Sequence, residues 1–345
     1  MVQQEQGPVN APEFGQGEWI NSIRHSISDL KGRVVLVDFW DYTCVNCIHT
    51  LPYVAEWHRR YEPLGLTIVG VHTPEFSFAG QRSLIEDAVK RFDLPYPVLV
   101  DKDYQTWQAY ANRYWPAKYL VDVNGKIRGA HFGEGAYREV ELVLQELLRE
   151  REGNKDATFP EPVDPMRPED STGAVCYRVT PEIYLGFQRG MPGNAEARPG
   201  QPHVYKDPGM HAEAYPYFEG PWQLAEEYAA RPFGFSNLQP SRLHLKYMSK
   251  EVNLVIHPGT SGRAEVTLLQ DSQPLAAEDR GEDAVERDGR SVIVVDQPRM
   301  YRLVNNRGIS SHELTLESTS DGVAMYAFTF VSCLVPGAEA AGAAS

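Results

Sequence analysis

The chain has 345 residues, 42% of them hydrophobic and 23% charged, with four cysteines and a formal net charge of −14. That length suits two domains of a globular protein. The acidic balance leaves no basic patch for phosphates and excludes a nucleic-acid partner, no apolar stretch approaches the roughly 20 residues that span a bilayer, and four cysteines are too few for a disulfide scaffold.

Met1 to Phe14 is polar and acidic, with neither a cationic start nor an apolar centre, so no secretory signal is read and the expected location is cytoplasmic. A chain trimmed of an export signal or membrane segment would read the same and be extracytoplasmic. Cys176, near the first strand of the second domain, and Cys333, near its last, could be neighbours, and in a cytoplasmic protein they are expected to remain thiols.

Residues 15–32 form an irregular lead-in to an apolar strand, Val34 to Trp40. Helical spacing of Ile48, Leu51, Val54, Ala55 and Trp57 follows, ending near Glu62-Pro63 and bent at Pro52. Leu66 to Val71 reads as a buried strand, Arg82 to Phe92 as an amphipathic helix, Pro97 to Val100 as a strand and Tyr104 to Tyr110 as a short helix. Ala117 to Asp122 and Lys126 to Phe132 form a hairpin, because Asn124-Gly125 supplies the positive φ values of a tight turn. Val140 to Leu148 closes the unit with a helix.

The pattern predicts an α/β redox domain over residues 1–152, a proline-rich linker over 153–174, an antiparallel, jelly-roll-like β-sandwich over 175–335, and a disordered tail over 336–345. Seven short strands are expected in the sandwich: 243–247, 251–257, 264–270, 291–296, 301–305, 313–318 and 323–331. Residues 190–240 read as long loops rich in proline, glycine and aromatics.

The chemistry is concentrated at Cys44-Val45-Asn46-Cys47, where the first strong strand turns into a helix. A helix N-terminus presents unpaired N–H groups and partial positive charge, which favour the thiolate, the attacking species in thiol–disulfide exchange. Asp38 is an acid inside the buried strand, where burial raises its pKa and suits it to accept a proton from the second thiol. Pro116 precedes a strand across the fold, and a cis bond there would expose the backbone of Trp115 beside the sulfurs. Trp40 and Trp115 are read as lining the substrate site, with core packing as the rival reading.

The run Val37-Asp38-Phe39-Trp40, with Cys44, Cys47, Pro52 and Trp115-Pro116, resembles the thioredoxin fold and its TlpA/ResA-like redoxin branch. The longer phrase Phe39 to Cys47, with Thr180 to Gly186 after the linker, looks like the soluble C-terminal part of DipZ-type proteins, a thioredoxin-like domain followed by a sandwich resembling carbohydrate-binding modules. The resemblance implies Cys44 as attacking thiol, Cys47 as resolving thiol, Asp38 as buried acid and Pro116 as the cis-proline. It implies protein or small-molecule disulfide or dithiol substrates, an unidentified redox donor, and no cofactor. Val45-Asn46 departs from the Gly-Pro of reducing thioredoxins, which leaves the redox direction open.

A zinc site needs a second cysteine pair, and Cys176 and Cys333 stand apart. No metal is therefore assigned. The alternative class is a copper-handling or other binding protein, with the cysteines and His49 or His72 as ligands. A peroxidase of the peroxiredoxin type wants a threonine three residues before its reactive cysteine, where this chain has Asp41. In the second domain Tyr205, Tyr215, Tyr217, Phe218 and Trp222 suit either stacking on sugar rings or packing of loops, and packing is the expectation.

Overall fold

An apolar run cannot be left half in water, and Val34–Trp40 is not: all seven residues are buried. This strand is the centre of the first of two units into which the chain divides, Met1–Asp170 and Ser171–Ser345. The computed structural model describes residues 9–153, 156–235 and 239–335, so the tail expected at 336–345 lies outside it.

The first unit runs β1 (Val9–Asn10), β2 (Glu18–Ile20), β3 (Val34–Trp40), α1 (Val45–Tyr61), β4 (Leu66–His72), α2 (Arg82–Arg91), β5 (Val98–Val100), α3 (Gln105–Ala109), β6 (Ala117–Val121), β7 (Lys126–Phe132) and α4 (Tyr137–Glu152). Its seven strands lie in the order β1-β7-β6-β3-β4-β5-β2. β3, β4 and β5 are parallel neighbours, while β6 runs antiparallel to β3. Strand alternation sends Val35, Val37 and Phe39 into one cluster with Val69, Val71, Leu99, Tyr119 and Val121. Val34, Leu36, Asp38 and Trp40 point to the other face. α4 begins at Tyr137, a turn earlier than its apolar stripe suggests, and ends on Gly153, whose φ of 65° supplies the left-handed cap that glycine adopts freely.

The segment read as a linker is instead fastened to α1 and α4. The buried carboxylate of Glu141 accepts hydrogen bonds from Trp57 Nε1 at 3.0 Å, Tyr61 OH at 2.6 Å and the backbone N–H of Val163 at 2.7 Å. Gln145 donates to the carbonyl of Pro160, Arg60 to that of Glu161, and Tyr53 OH to Asp170. Proline and charge composition resemble a linker, but they say nothing of the acceptors a neighbouring helix offers.

The second unit contributes β8 (Val175–Cys176), β9 (Ile183–Tyr184), β10 (Pro202–Tyr205), β11 (Pro216–Leu224), β12 (Ala229–Ala230), β13 (Ser241–His257), β14 (Ala264–Gln270), β15 (Gln273–Pro274), β16 (Ala284–Arg287), β17 (Arg290–Val295), β18 (Arg299–Ser318), β19 (Ala324–Val331) and β20 (Cys333–Leu334). All their pairings are antiparallel, and the described residues hold no α-helix here. β13 pairs β18 along its length, β11 along its first half and β19 along its second, so the sheet folds over one shared core.

Four of the expected short strands are thus two long ones. Segments 243–247 and 251–257 are joined in β13 through irregular register at Ser249/Glu251 and Val252/Asn253; 301–305 and 313–318 are joined in β18. Polar residues between apolar runs look like turns but continue as ladder. The region read as loops holds β10, β11 and β12, and Tyr205, Tyr217, Phe218 and Trp222 are buried, with only Tyr215 exposed. Packing, not sugar stacking, occupies those four rings. No described helix is long and apolar enough to cross a membrane.

Cys176 and Cys333 are paired partners of β8 and β20 and form a disulfide, correcting the expectation of two thiols. Their antiparallel pairing puts the two side chains directly opposite one another, as their place near the first and last strands allowed. Replacing both by serine is expected to lower the stability of the second unit by about 2–5 kcal/mol. Thermal or urea unfolding of the double variant beside the oxidised wild type checks this.

Candidate active site

Cys44 is the N-cap of α1, in extended conformation, and its Sγ accepts a hydrogen bond from the backbone N–H of Cys47 at 3.2 Å. Cys44 is partly exposed; Cys47 is fully buried. Both are free thiols with sulfurs 2.7 Å apart, beyond the roughly 2.05 Å of a disulfide bond. α1 has no acidic residue in its first turn and ends on His58, Arg59 and Arg60, an arrangement that keeps the N-terminal field positive.

Asp41 shapes the turn between β3 and this helix. Its carboxylate is wholly buried and accepts from Thr43 N at 2.5 Å, Thr43 Oγ1 at 2.6 Å and Glu75 N at 2.6 Å. The last bond ties the cysteine loop to the segment after β4. That segment also accepts from Trp115, whose Nε1 donates to the carbonyl of Thr73 at 2.9 Å.

Burial raises the Cys44 pKa, and the carboxylates of Glu75 and Asp41 push it further against the hydrogen bonds from Cys47. Against the expectation of a thiol activated by the helix terminus, the net direction at Cys44 is upward, with burial the largest cause. Burial holds Cys47 well above the ordinary thiol value, with Cys44 adding to the effect. Cys44 remains the more exposed and the less suppressed of the two.

Asp38 and Lys118 face each other in the β3–β6 register, both wholly buried, with Nζ 3.8 Å from Oδ1. Neither carboxylate oxygen nor the ammonium has a hydrogen-bond partner among the described residues. Burial raises the Asp38 pKa to about 6, against the opposing pull of Lys118. Tyr96, also buried, lies close enough for the Asp38 charge to push its phenol up further.

The Trp115–Pro116 bond is cis. Ala117, the next residue, pairs with Phe39, which puts Pro116 at the end of β3 that leads to the cysteines. Trp115 is partly exposed and leans on Trp107, with ring centroids 4.1 Å apart. Trp40 is different: it is completely buried and meets His72 edge-on at 4.9 Å, so it belongs to the core and offers no face to a substrate.

Neither candidate copper-ligand histidine is aimed at the sulfurs. His49 Nδ1 lies 3.0 Å from Glu134, and His72 Nε2 accepts from the backbone of Tyr42 at 3.4 Å. In the second unit, His211, His244 and Glu313, and also Asp207, Glu219 and His244, bring possible ligand atoms within 4.8 Å. The carboxylates of Glu313, Asp207 and Glu219 engage the ring nitrogens of His211 and His244, whose rings stack 17° from parallel.

Lys118, Asp41 and Glu75 escaped the sequence reading. The available signal for Lys118 was a lysine inside a short apolar strand beginning just after Pro116.

Fold, paired thiols and buried acid together describe a thioredoxin-like redox protein, and the comparisons agree. Residues 10–130 match the AhpC/TSA family and residues 180–330 the thioredoxin-like C-terminal domain. ResA, a thiol–disulfide oxidoreductase of Bacillus cereus, is 30% identical over 121 residues, which are 35% of this chain and 67% of that protein. The chain belongs to the thioredoxin-like thiol–disulfide oxidoreductase family. Across both units it is similar to DipZ of Mycobacterium bovis, at 29% identity over 326 residues; these cover 93% of this chain and 42% of that relative's length. A solved thiol-disulfide isomerase from Corynebacterium glutamicum is 27% identical, with 40% of this chain and 97% of that chain covered and a TM-score of 0.36.

His72 gives the first unit an acid-sensitive element. Burial lowers its pKa to about 3, so between that value and the ordinary 6.5 the unfolded chain binds a proton that the folded one does not. Stability is intact above about pH 6.5 and falls as pH drops, by up to about 1.4 kcal/mol per pH unit. Urea unfolding at pH 7 and pH 5 should show a smaller acid loss for His72→Leu than for the wild type.

Proposed function

We propose that the first unit exchanges disulfides through its cysteine pair. The observation that carries this is the partly exposed residue Cys44 at the start of α1, with the sulfur of buried Cys47 2.7 Å from its own. Cys44, as thiolate, attacks one sulfur of a protein or small-molecule disulfide. A mixed disulfide forms and the other substrate sulfur leaves as a thiolate. Cys47 then attacks Cys44 Sγ, giving its proton to Asp38, and the Cys44–substrate bond breaks. The substrate is left as two thiols and the protein as the Cys44–Cys47 disulfide, which an external dithiol donor returns to the reduced state.

We take the direction of flow to be reductive. An environment that stabilises a thiolate favours the reduced pair and makes an oxidant. Here burial and the carboxylates of Glu75 and Asp41 do the opposite at Cys44. The Cys176–Cys333 bond supports an extracytoplasmic, oxidising location, since such bonds seldom persist in reducing compartments. The second unit is read as an accompanying module without a share in the chemistry.

Cys47→Ser should accumulate a mixed disulfide on Cys44 with a disulfide substrate, and Cys44→Ser should form none; mass spectrometry after acid quenching distinguishes them. Normal turnover by Cys47→Ser would defeat the mechanism. Equilibration with glutathione buffers should place the midpoint of the Cys44/Cys47 pair below about −200 mV, and a value near the roughly −120 mV of a strong oxidant would reverse the assigned direction.

A further inference from the structure

The Asp38–Lys118 pair is anomalous among the buried charges of this protein. Arg231, equally buried, spreads its guanidinium over Asp321, Gln239 O, Ser241 Oγ and Phe235 O. Lys118 has no hydrogen-bond partner among the described residues, and Asp38 has none for either oxygen. At 3.8 Å the two charges attract, yet no hydrogen bond fixes them. Buried polar groups left this way are rare and costly, and a lysine that served only to fill space would be better replaced by an apolar side chain.

The surroundings say what the charge acts on. Burial lowers the Lys118 pKa, and the groups whose charge opposes this and favours the ammonium are, in falling order, Asp38, Cys47, Cys44 and Glu134. Asp38 belongs to β3, the two sulfurs to the start of α1, and Glu134 to the turn after β7. His131 of β7 feels the Lys118 charge, and Tyr96, before β5, feels that of Asp38. Lys118 is the cation among these groups that acts on both the buried acid and the cysteine pair.

We propose that Lys118 is a positioning residue for resolution of the mixed disulfide, its ammonium holding Asp38 as the carboxylate that receives the Cys47 proton. The inference rests on the thiol-exchange reading above. Without a cation beside it, a wholly buried carboxylic acid keeps its proton well into the neutral range and has no capacity to accept another. Its opposing pull on Asp38, set against the larger effect of burial, accords with this. The proton accounting is closed: Cys47 S–H loses its proton to Asp38, its sulfur bonds to Cys44 Sγ, the Cys44–substrate bond breaks, and the substrate thiolate is protonated by solvent.

The test is the pH dependence of resolution, measured from a pre-formed mixed disulfide with a chromophoric thiol, in the full chain. Lys118→Met should move the acid-side midpoint upward by at least one pH unit and slow resolution about tenfold on the acid side, with the alkaline plateau unchanged. In an Asp38→Asn background, Lys118→Met should move the midpoint by much less than it does beside Asp38, leaving only its direct effect on the two thiols, and this double variant also removes both buried charges and so protects the fold. An unshifted midpoint in Lys118→Met, or a shift in the Asp38→Asn background as large as the one beside Asp38, overturns the proposal. Infrared titration of the wild-type carboxyl, assigned by its loss in Asp38→Asn, gives a readout independent of activity and of variant folding: Asp38 should be ionised by neutral pH, and a carboxyl still protonated above about pH 7.5 also overturns it. Absence of any exchange by the wild type would instead refute the thiol-exchange reading, with the infrared result still deciding whether Asp38 is held ionised.

Discussion

The buried carboxylate of Asp41 holds the site together. Its three accepted hydrogen bonds fold the turn from β3 into α1 and bind the segment around Glu75 to it. Cys44 is an N-cap only because that turn is held, and the N-cap position gives its sulfur the Cys47 N–H. The same carboxylate is one of the acids that oppose the thiolate. One side chain thus sets the place of the Cys44 sulfur and also helps to raise its pKa.

Beneath that turn the two faces of β3 have different tasks. Val35, Val37 and Phe39 enter a continuous apolar cluster, which stabilises the sheet in proportion to the area removed from water. Asp38 and Trp40 leave on the other face, one to a buried charge and the other to His72. Period-two alternation therefore places an ionisable carboxyl group inside the domain without interrupting the core on the opposite side.

What could be read along the chain was local. Cys44 and Cys47 share one turn, Asp38 lies on the strand that leads into it, and Asn124-Gly125 sits at the hairpin's tip, so all were legible from spacing. Trp40 was ambiguous because an aromatic beside a reactive loop can face either way, and only the pairing of β3 with β4 decides that it meets His72. Lys118 acquires meaning from a register between residues 80 apart in sequence, which no pattern along one strand displays. The reach of Glu141 to Val163, and the continuity of β13 and β18 through polar stretches, are likewise properties of pairing.

The Cys176–Cys333 bond has a mechanical consequence. It joins the two ends of the second unit across a sequence separation of 157. Tension applied to the chain on either side of that unit would pass through the sulfur–sulfur bond, and the strands between the two cysteines would carry no load. The long ladder of β13 and β18 would begin to bear force only once that bond was reduced, so the extensibility of this part of the chain is set by its thiol state.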